Sequence, residues 1–142
     1  MSSHLVELRN LTVAFDGVPV LHGIDLDVKP GEALGLVGES GCGKSVTWLA
    51  ALGLLPGKAS VSGSVRIDGR EVCGAPRQAL ESVRGGRVAM IFQDPSSSLN
   101  PVIRIGRQIT EALALHRGLK GEAAKAEALR LMDMVGIPDA RR

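Results

Sequence analysis

The eight residues Gly38–Ser45, GESGCGKS, decide the fold. They follow a short apolar run, EALGLV (32–37), and precede VTWLAALGLLP (46–56). Gly38, Gly43, Lys44 and Ser45 fit the pattern G-x-x-x-x-G-K-[ST] of a phosphate-binding loop. Such a loop must turn backbone N–H groups inward around an anion, and glycines permit both the dihedrals and the close approach. A helix opening at Lys44 adds its N-terminal partial positive charge. Lys44 itself opposes that dipole at a cost of about 0.3–1 kcal/mol, which a bound polyanion would remove. At average residue usage, roughly one chain of this length in a few hundred carries the pattern by chance. The apolar run before it and the amphipathic stretch after it favour the phosphate reading. In that reading Glu39, Ser40, Gly41, Cys42 and Val46 complete the loop, Lys44 reaches the β- and γ-phosphates of ATP, and the Ser45 hydroxyl reaches Mg²⁺. Alkylation of Cys42 is expected to block nucleotide binding.

Outward from this loop the pattern is mixed. Residues 5–15, LVELRNLTVAF, alternate in part and predict a strand, and Asp16-Gly17 signals a turn. Residues 18–28 predict a second strand, closed by Lys29-Pro30-Gly31. The runs 32–37 and 87–92 (RVAMIF) suit strands covered on both faces, as in parallel sheets. Two such strands make a poor open α/β sheet. A helix from Lys44 carries Val46, Leu49, Ala50 and Gly53 on one face and is ended by Pro56-Gly57. SVRIDGREV (64–72) predicts a hairpin around Asp68-Gly69. Residues 76–84 predict a short helix. After a polar loop, QDPSSSLNP (93–101), helices are predicted over about 103–116 and 121–135, with surface pairs Glu122/Lys125 and Glu127/Arg130.

The 142 residues suffice for one domain with a core. With two Phe, one Trp and no Tyr, that core must be aliphatic. A net charge of +2, with the arginines of 66–87 interleaved with acids, speaks for a solvated surface and no nucleic-acid partner. Two cysteines fit a reducing compartment. The N-terminus has no signal-peptide core, and no apolar run approaches the ~20 residues of a membrane span. A cytoplasmic protein is expected, reaching a membrane only through a partner.

From Gly38 on, GESGCGKSVTWLAALGLLP resembles the ATP-binding subunits of ABC transporters, and within them the dipeptide/oligopeptide (and nickel) importer branch. MIFQDPSSSLNP (90–101) is similar to the Q-loop of that branch, and VGIPDARR (135–142) to its following segment. The resemblance covers essentially the whole chain. It implies an α/β P-loop NTPase fold, seen as its N-terminal half: an antiparallel β region, a P-loop strand and helix, a Q-loop strand and the start of a helical subdomain. It divides the chain into a nucleotide-binding core with its β region (1–93) and the Q-loop with the start of the helical subdomain (94–142). It places Phe15 on the adenine ring and makes Gln93 the residue that approaches Mg²⁺ and the attacking water and couples the site to transmembrane subunits. Catalytic roles would fall to Lys44 and Gln93, and the metal would be held by Ser45 and Gln93. Partners would be transmembrane permease subunits and a second ATP-binding domain, with the chain peripheral on the inner face of the cell membrane.

The pattern of the family then stops. No Leu-Ser-Gly-Gly-Gln signature, Walker B Asp, catalytic Glu or switch His is found. Gly85-Gly86 precedes the Q-loop, and His4, His22 and His116 are read as surface or packing residues. Asp94 follows an apolar run as a Walker B carboxylate would, but Gln93 and PSSSLNP assign it to the Q-loop. The chain is therefore expected to bind ATP without turning it over alone, and to leave the 32–37 strand without neighbours. The alternative is a truncated, non-catalytic nucleotide-binding or interaction module. ABC-type ATPases of DNA repair or translation fit less well, because the Q-loop here runs straight into short helices.

Overall fold

The computed structural model describes residues 4–94 and 98–138. They form two compact units, Met1–Arg84 and Gly85–Arg142.

The first unit is built on a four-stranded antiparallel sheet. Strand β1 (Val6–Phe15) pairs with β2 (Val18–Val28) on one side and β3 (Ala59–Ile67) on the other, and β4 (Arg70–Glu71) completes the order β2-β1-β3-β4. The two tight turns are chemically alike. Asp16 and Gly17, like Asp68 and Gly69, have positive φ at both central positions, the two-residue turn whose twist matches the strands it joins. Strict alternation fails in the middle of β1, where Asn10 takes φ 46° and the register shifts between Leu8 and Leu11. The Asn10 N–H is held by Asp25 Oδ1 at 2.7 Å. This bulge resets the phase, so Leu8 and Leu11, three apart, are both fully buried. They join Val13, Leu21, Val65 and Ile67 in the core. Each such side chain contributes about 1.5–3 kcal/mol by burial.

Helix α1 (Lys44–Ala51) packs on β1 and β2. It is shorter than the sequence predicts, because Gly53, expected on its apolar face, instead ends it. Gly53 takes φ 62°, its N–H bonds to Ala50 O at 3.0 Å, and Leu54 N–H bonds to Leu49 O at 2.8 Å. That paired bonding closes a helix in the left-handed manner before Pro56-Gly57 could. Arg84, just beyond α2 (Arg77–Val83), donates to Leu52 O at 2.8 Å and Gly53 O at 2.7 Å. A cation thus sits on carbonyls that the helix end leaves free.

Glu71 splices β4 to β3. Its carboxylate accepts from Ser64 Oγ, Val65 N–H at 2.8 Å and Cys73 N–H at 3.1 Å. Burial alone would raise its pKa, but these bonds together with Arg66 hold it below the usual carboxylate value.

The second unit contains a helical hairpin, α3 (Ile105–Arg117) and α4 (Gly121–Met134), closed on Leu113, Ala124, Ala128 and Met132. Both expected surface pairs form, Lys125–Glu122 at 2.6 Å and Arg130–Glu127 at 2.8 Å. Arg117 reaches Glu127 at 2.7 Å as well, so one carboxylate ties the two helices. The Arg130 and Arg117 hydrogen bonds hold the Glu127 carboxyl at about 2, well below its ordinary 4.5. His116 packs against Gly85, where an added Cβ would lie 2.5 Å from its ring.

Two expected elements are corrected. Residues 32–37 and 87–92 belong to no sheet; Val88 alone makes an isolated bridge. The reason lies in the surroundings. A doubly covered strand needs ladder partners for its N–H and C=O groups and apolar faces against its side chains. Among the described residues neither segment has a ladder beyond the single Val88 bridge, and their faces are open: Val37 is 95% and Ile91 97% exposed.

Candidate functional site

The loop 38–43 leads directly into α1, as the spacing predicts. Its chemistry begins with Gly43, the cap of the helix, at φ 97° and ψ 2°. A Cβ there would lie 2.5 Å from Leu21 Cδ2 and in a left-handed conformation. Gly43 is therefore required twice, by its dihedral and by the sheet beneath it. At Gly38 a Cβ would lie 2.7 Å from Cys42 Sγ and 3.7 Å from Lys44 Nζ, so the exposed Cys42 thiol would have to turn away.

Lys44 folds back across the loop. Its ammonium donates to Gly38 O at 2.7 Å, to Glu39 O at 2.5 Å and to Cys42 Sγ at 3.3 Å. Three donors meet three acceptors, so the cation draws Gly38, Glu39 and Cys42 around itself. No side chain caps α1, and its first turn holds no acidic residue. Thr47 is buried and donates through Oγ1 to Gly43 O at 2.9 Å, the same carbonyl that receives the Thr47 N–H. It pins the loop's last peptide to the helix. Ser40, Gly41, Cys42 and Ser45 are exposed, and Val46 is half-buried. The loop is an open rim. Cavities of about 460 and 440 Å³ lie along the α3–α4 hairpin, lined in part by Arg107, Thr110 and Lys125, and another of about 440 Å³ lies on the sheet, lined in part by Leu21, His22 and Ser62.

Phe15 ends β1 opposite Val18 and Ala59 and is half-buried. Leu21, the residue under Gly43, is the register partner of Val13, two positions from Phe15. The sheet thus brings the aromatic ring's strand under the loop. Gln93 is exposed in the second unit, and Asp94 follows it. Residues 95–97 of the quoted Q-loop and 139–142 of VGIPDARR lie outside the described residues.

These residues fit a magnesium nucleotide. The glycine cradle is one that Cβ atoms would fill, the first helical turn has no competing side chain or acid, and a hydroxyl stands next to the lysine. Among the described residues one other group could offer ligands to a cation: His4, Glu7 and Asp27, with ligand atoms within 4.8 Å of one another. There the Arg9 guanidinium already lies 2.6 Å from Asp27 and 3.9 Å from Glu7.

Three residues that shape their surroundings have no signal in the sequence pattern. Leu21, under Gly43, is an ordinary strand leucine, Thr47 an ordinary helix threonine, and Gln108, whose carboxamide binds the Asn100 backbone, a polar residue on an amphipathic helix. Each acts through a neighbour that only folding supplies.

Among described residues no helix is long and apolar enough to cross a membrane. Comparison with known proteins gives a consistent result. The chain is 42% identical to the oligopeptide transport ATP-binding protein OppD of Salmonella typhimurium over 97% of its own length and 42% of that protein's. It is 47% identical to a putative peptide import ATP-binding protein of Brucella abortus, over 97% of this chain and 43% of the relative. It spans less than half the length of these relatives. Among solved structures it superposes on the ATP-binding cassette MJ0796, in a dimeric post-hydrolysis state bound to ADP and Pi. That match has a TM-score of 0.73 and 26% identity, over 91% of this chain and 56% of the other. The family model described as ABC transporter matches residues 21–142, from the strand beneath the loop to the end of the sequence, and the chain belongs to that family.

Proposed function

We propose that this chain is the nucleotide-binding part of an ATP-binding subunit that energises import of peptides or related small solutes. The observation that carries the reading is the loop 38–45: a left-handed glycine, Gly43, whose Cβ would strike buried Leu21, an uncapped helix start, and a lysine ammonium folded back across the loop. The names of its relatives point to peptide import, and the ADP and Pi of its structural neighbour to the nucleotide.

Each residue has a task that follows from its chemistry. Backbone N–H groups of 41–46 surround the phosphates. Lys44 exchanges part of its bonding to the Gly38 and Glu39 carbonyls for phosphate oxygens, a change confined to one side chain. Ser45 would hold Mg²⁺, with Gln93 as the further ligand the family resemblance implies, and the ion would neutralise charge on the β- and γ-phosphates. Phe15 offers its π-face to the adenine, and Gln93 orients water. In this reading the carboxylate for that water is not among the residues that match the family's pattern, and hydrolysis requires a second ATP-binding domain. The partners are permease subunits, which hold the chain at the inner face of the membrane.

Isothermal titration with magnesium-ATP tests the reading. Wild type should bind, and Lys44→Ala should weaken binding tenfold or more, about 1.4 kcal/mol. The chain alone should release no phosphate at steady state. Steady Mg²⁺-dependent release that Lys44→Ala abolishes would overturn that part, and no heat from folded protein would overturn the whole.

A further inference from the structure

Thr47 is the one buried polar side chain among the described residues, at 3% exposure. Both of its donors go to one atom. Its N–H bonds to Gly43 O at 2.9 Å, and its Oγ1 donates to the same oxygen at 2.9 Å. A carbonyl oxygen has two acceptor positions, so one residue fills both. The N–H bond is the ordinary first bond of the helix. The hydroxyl bond is additional. A helical threonine commonly bonds back to the carbonyl four residues earlier. Here that carbonyl belongs to the cap residue of α1, which is also the last residue of the loop.

The extra bond falls on a peptide whose direction matters. In a planar trans peptide the carbonyl and the following N–H point in opposite directions. With Gly43 O turned into α1, Lys44 N–H points out of the helix start, toward the loop. Turning that peptide over would set an oxygen where an anion needs a donor. A Cβ on residue 43 would restrict such a turn, but Gly43 has none and tolerates none, because a Cβ would lie 2.5 Å from Leu21 Cδ2. The sheet thus demands glycine where freedom of ψ is most damaging to an anion site. No side-chain cap bond fixes the helix start. The second bond from Thr47 supplies the resistance that the missing Cβ takes away.

We propose that Thr47 is a positioning residue for phosphate: its hydroxyl and its N–H together hold Gly43 O, and so keep Lys44 N–H presented to an anion in the loop. The proposal deepens the nucleotide-binding reading above and rests on it.

Thr47→Val removes the hydroxyl and keeps the shape of the side chain. Calorimetry with magnesium-ATP, and with pyrophosphate as a probe lacking the nucleoside, reads the effect on the 142-residue chain. Affinity falls by the share of molecules whose peptide has turned, so both probes should bind roughly threefold more weakly or worse. Thr47→Ser keeps the hydroxyl and should match wild type. In the free protein the residue-47 amide of Thr47→Val, corrected for intrinsic exchange, should exchange about threefold faster or more, while the Ala51 amide one turn on is unchanged. A hydroxyl that only satisfied itself would leave the N–H bond intact, with the carbonyl to itself, and exchange would not rise. Should Thr47→Val not fold, Thr47→Ala against Thr47→Ser isolates the hydroxyl in the same two measurements. Equal affinities in wild type and Thr47→Val would overturn the proposal, as would a loss that Thr47→Ser shares. Wild-type protein that binds neither probe would sink the nucleotide reading and the role of Thr47 with it. Normal wild-type binding that the loss of the hydroxyl leaves unchanged would sink only the role of Thr47.

Discussion

Replacing Gly43 by alanine separates two costs that the structure places at one atom. The first is conformational. Gly43 sits at φ 97°, and a left-handed backbone costs an L-residue about 1–2 kcal/mol. The second is steric. The new methyl would lie 2.5 Å from Leu21 Cδ2, and Leu21 is buried in the sheet, so it cannot simply swing aside. Overpacking of that kind costs about 1–3 kcal/mol. Together they give about 2–5 kcal/mol, a large share of the ~5–15 kcal/mol typical of a domain. Gly41 is the control: its φ is 83°, but nothing lies within 4 Å of its Cβ. Gly41→Ala should therefore show only the first cost. Urea denaturation of both variants measures the difference. Leu21→Ala completes a cycle, because it vacates the space that the added methyl needs. The double variant should lose about 1–3 kcal/mol less than the sum of its singles. Gly43→Ala matching Gly41→Ala within about 0.5 kcal/mol, with an additive cycle, would refute the claim that the loop is seated on β2 through this glycine.

Removal of the Arg84 side chain in Arg84→Met should cost about 1–2 kcal/mol by urea denaturation, because two carbonyls at the end of α1 lose a charged donor at a partly exposed site. The Glu127 carboxyl falls from 4.5 to about 2 on folding, so the stability it contributes is complete above about pH 4.5 and is lost as pH falls toward 2. Acid titration of helix content by circular dichroism should show that loss, and Glu127→Gln should remove its pH dependence in this window. Iodoacetamide on a Cys73→Ser background should abolish magnesium-ATP binding, since Cys42 Sγ lies 3.3 Å from the Lys44 ammonium; unchanged affinity after complete alkylation would show that the thiol stands clear of the phosphates.

Much of the fold was legible because its signals are local. Asp16-Gly17 and Asp68-Gly69 specify hairpin turns by their own dihedral preferences, and both form. The helices predicted over about 103–116 and 121–135 form as α3 and α4 within a residue or two. The end of α1 was misread because Gly53 fits a helical face as well as a left-handed stop, and the choice went to the bonds of Gly53 and Leu54 with Arg84 across them. The bulge at Asn10 was equally hidden, since it depends on Asp25 fifteen residues away.

The glycine loop was written in the chain: spacing alone placed Gly38, Gly43, Lys44 and Ser45 between an apolar run and a helix, because glycine dihedrals and helix starts are properties of a few consecutive residues. Whether EALGLV and RVAMIF become strands was not, because a strand exists only through the hydrogen bonds of its neighbours. Nor could spacing reveal that Leu21 fixes position 43 as glycine or that Gln108 holds Asn100. Those contacts join residues that are distant in sequence or turned toward one another by the loop, and only the folded backbone decides which atoms then compete for the same space.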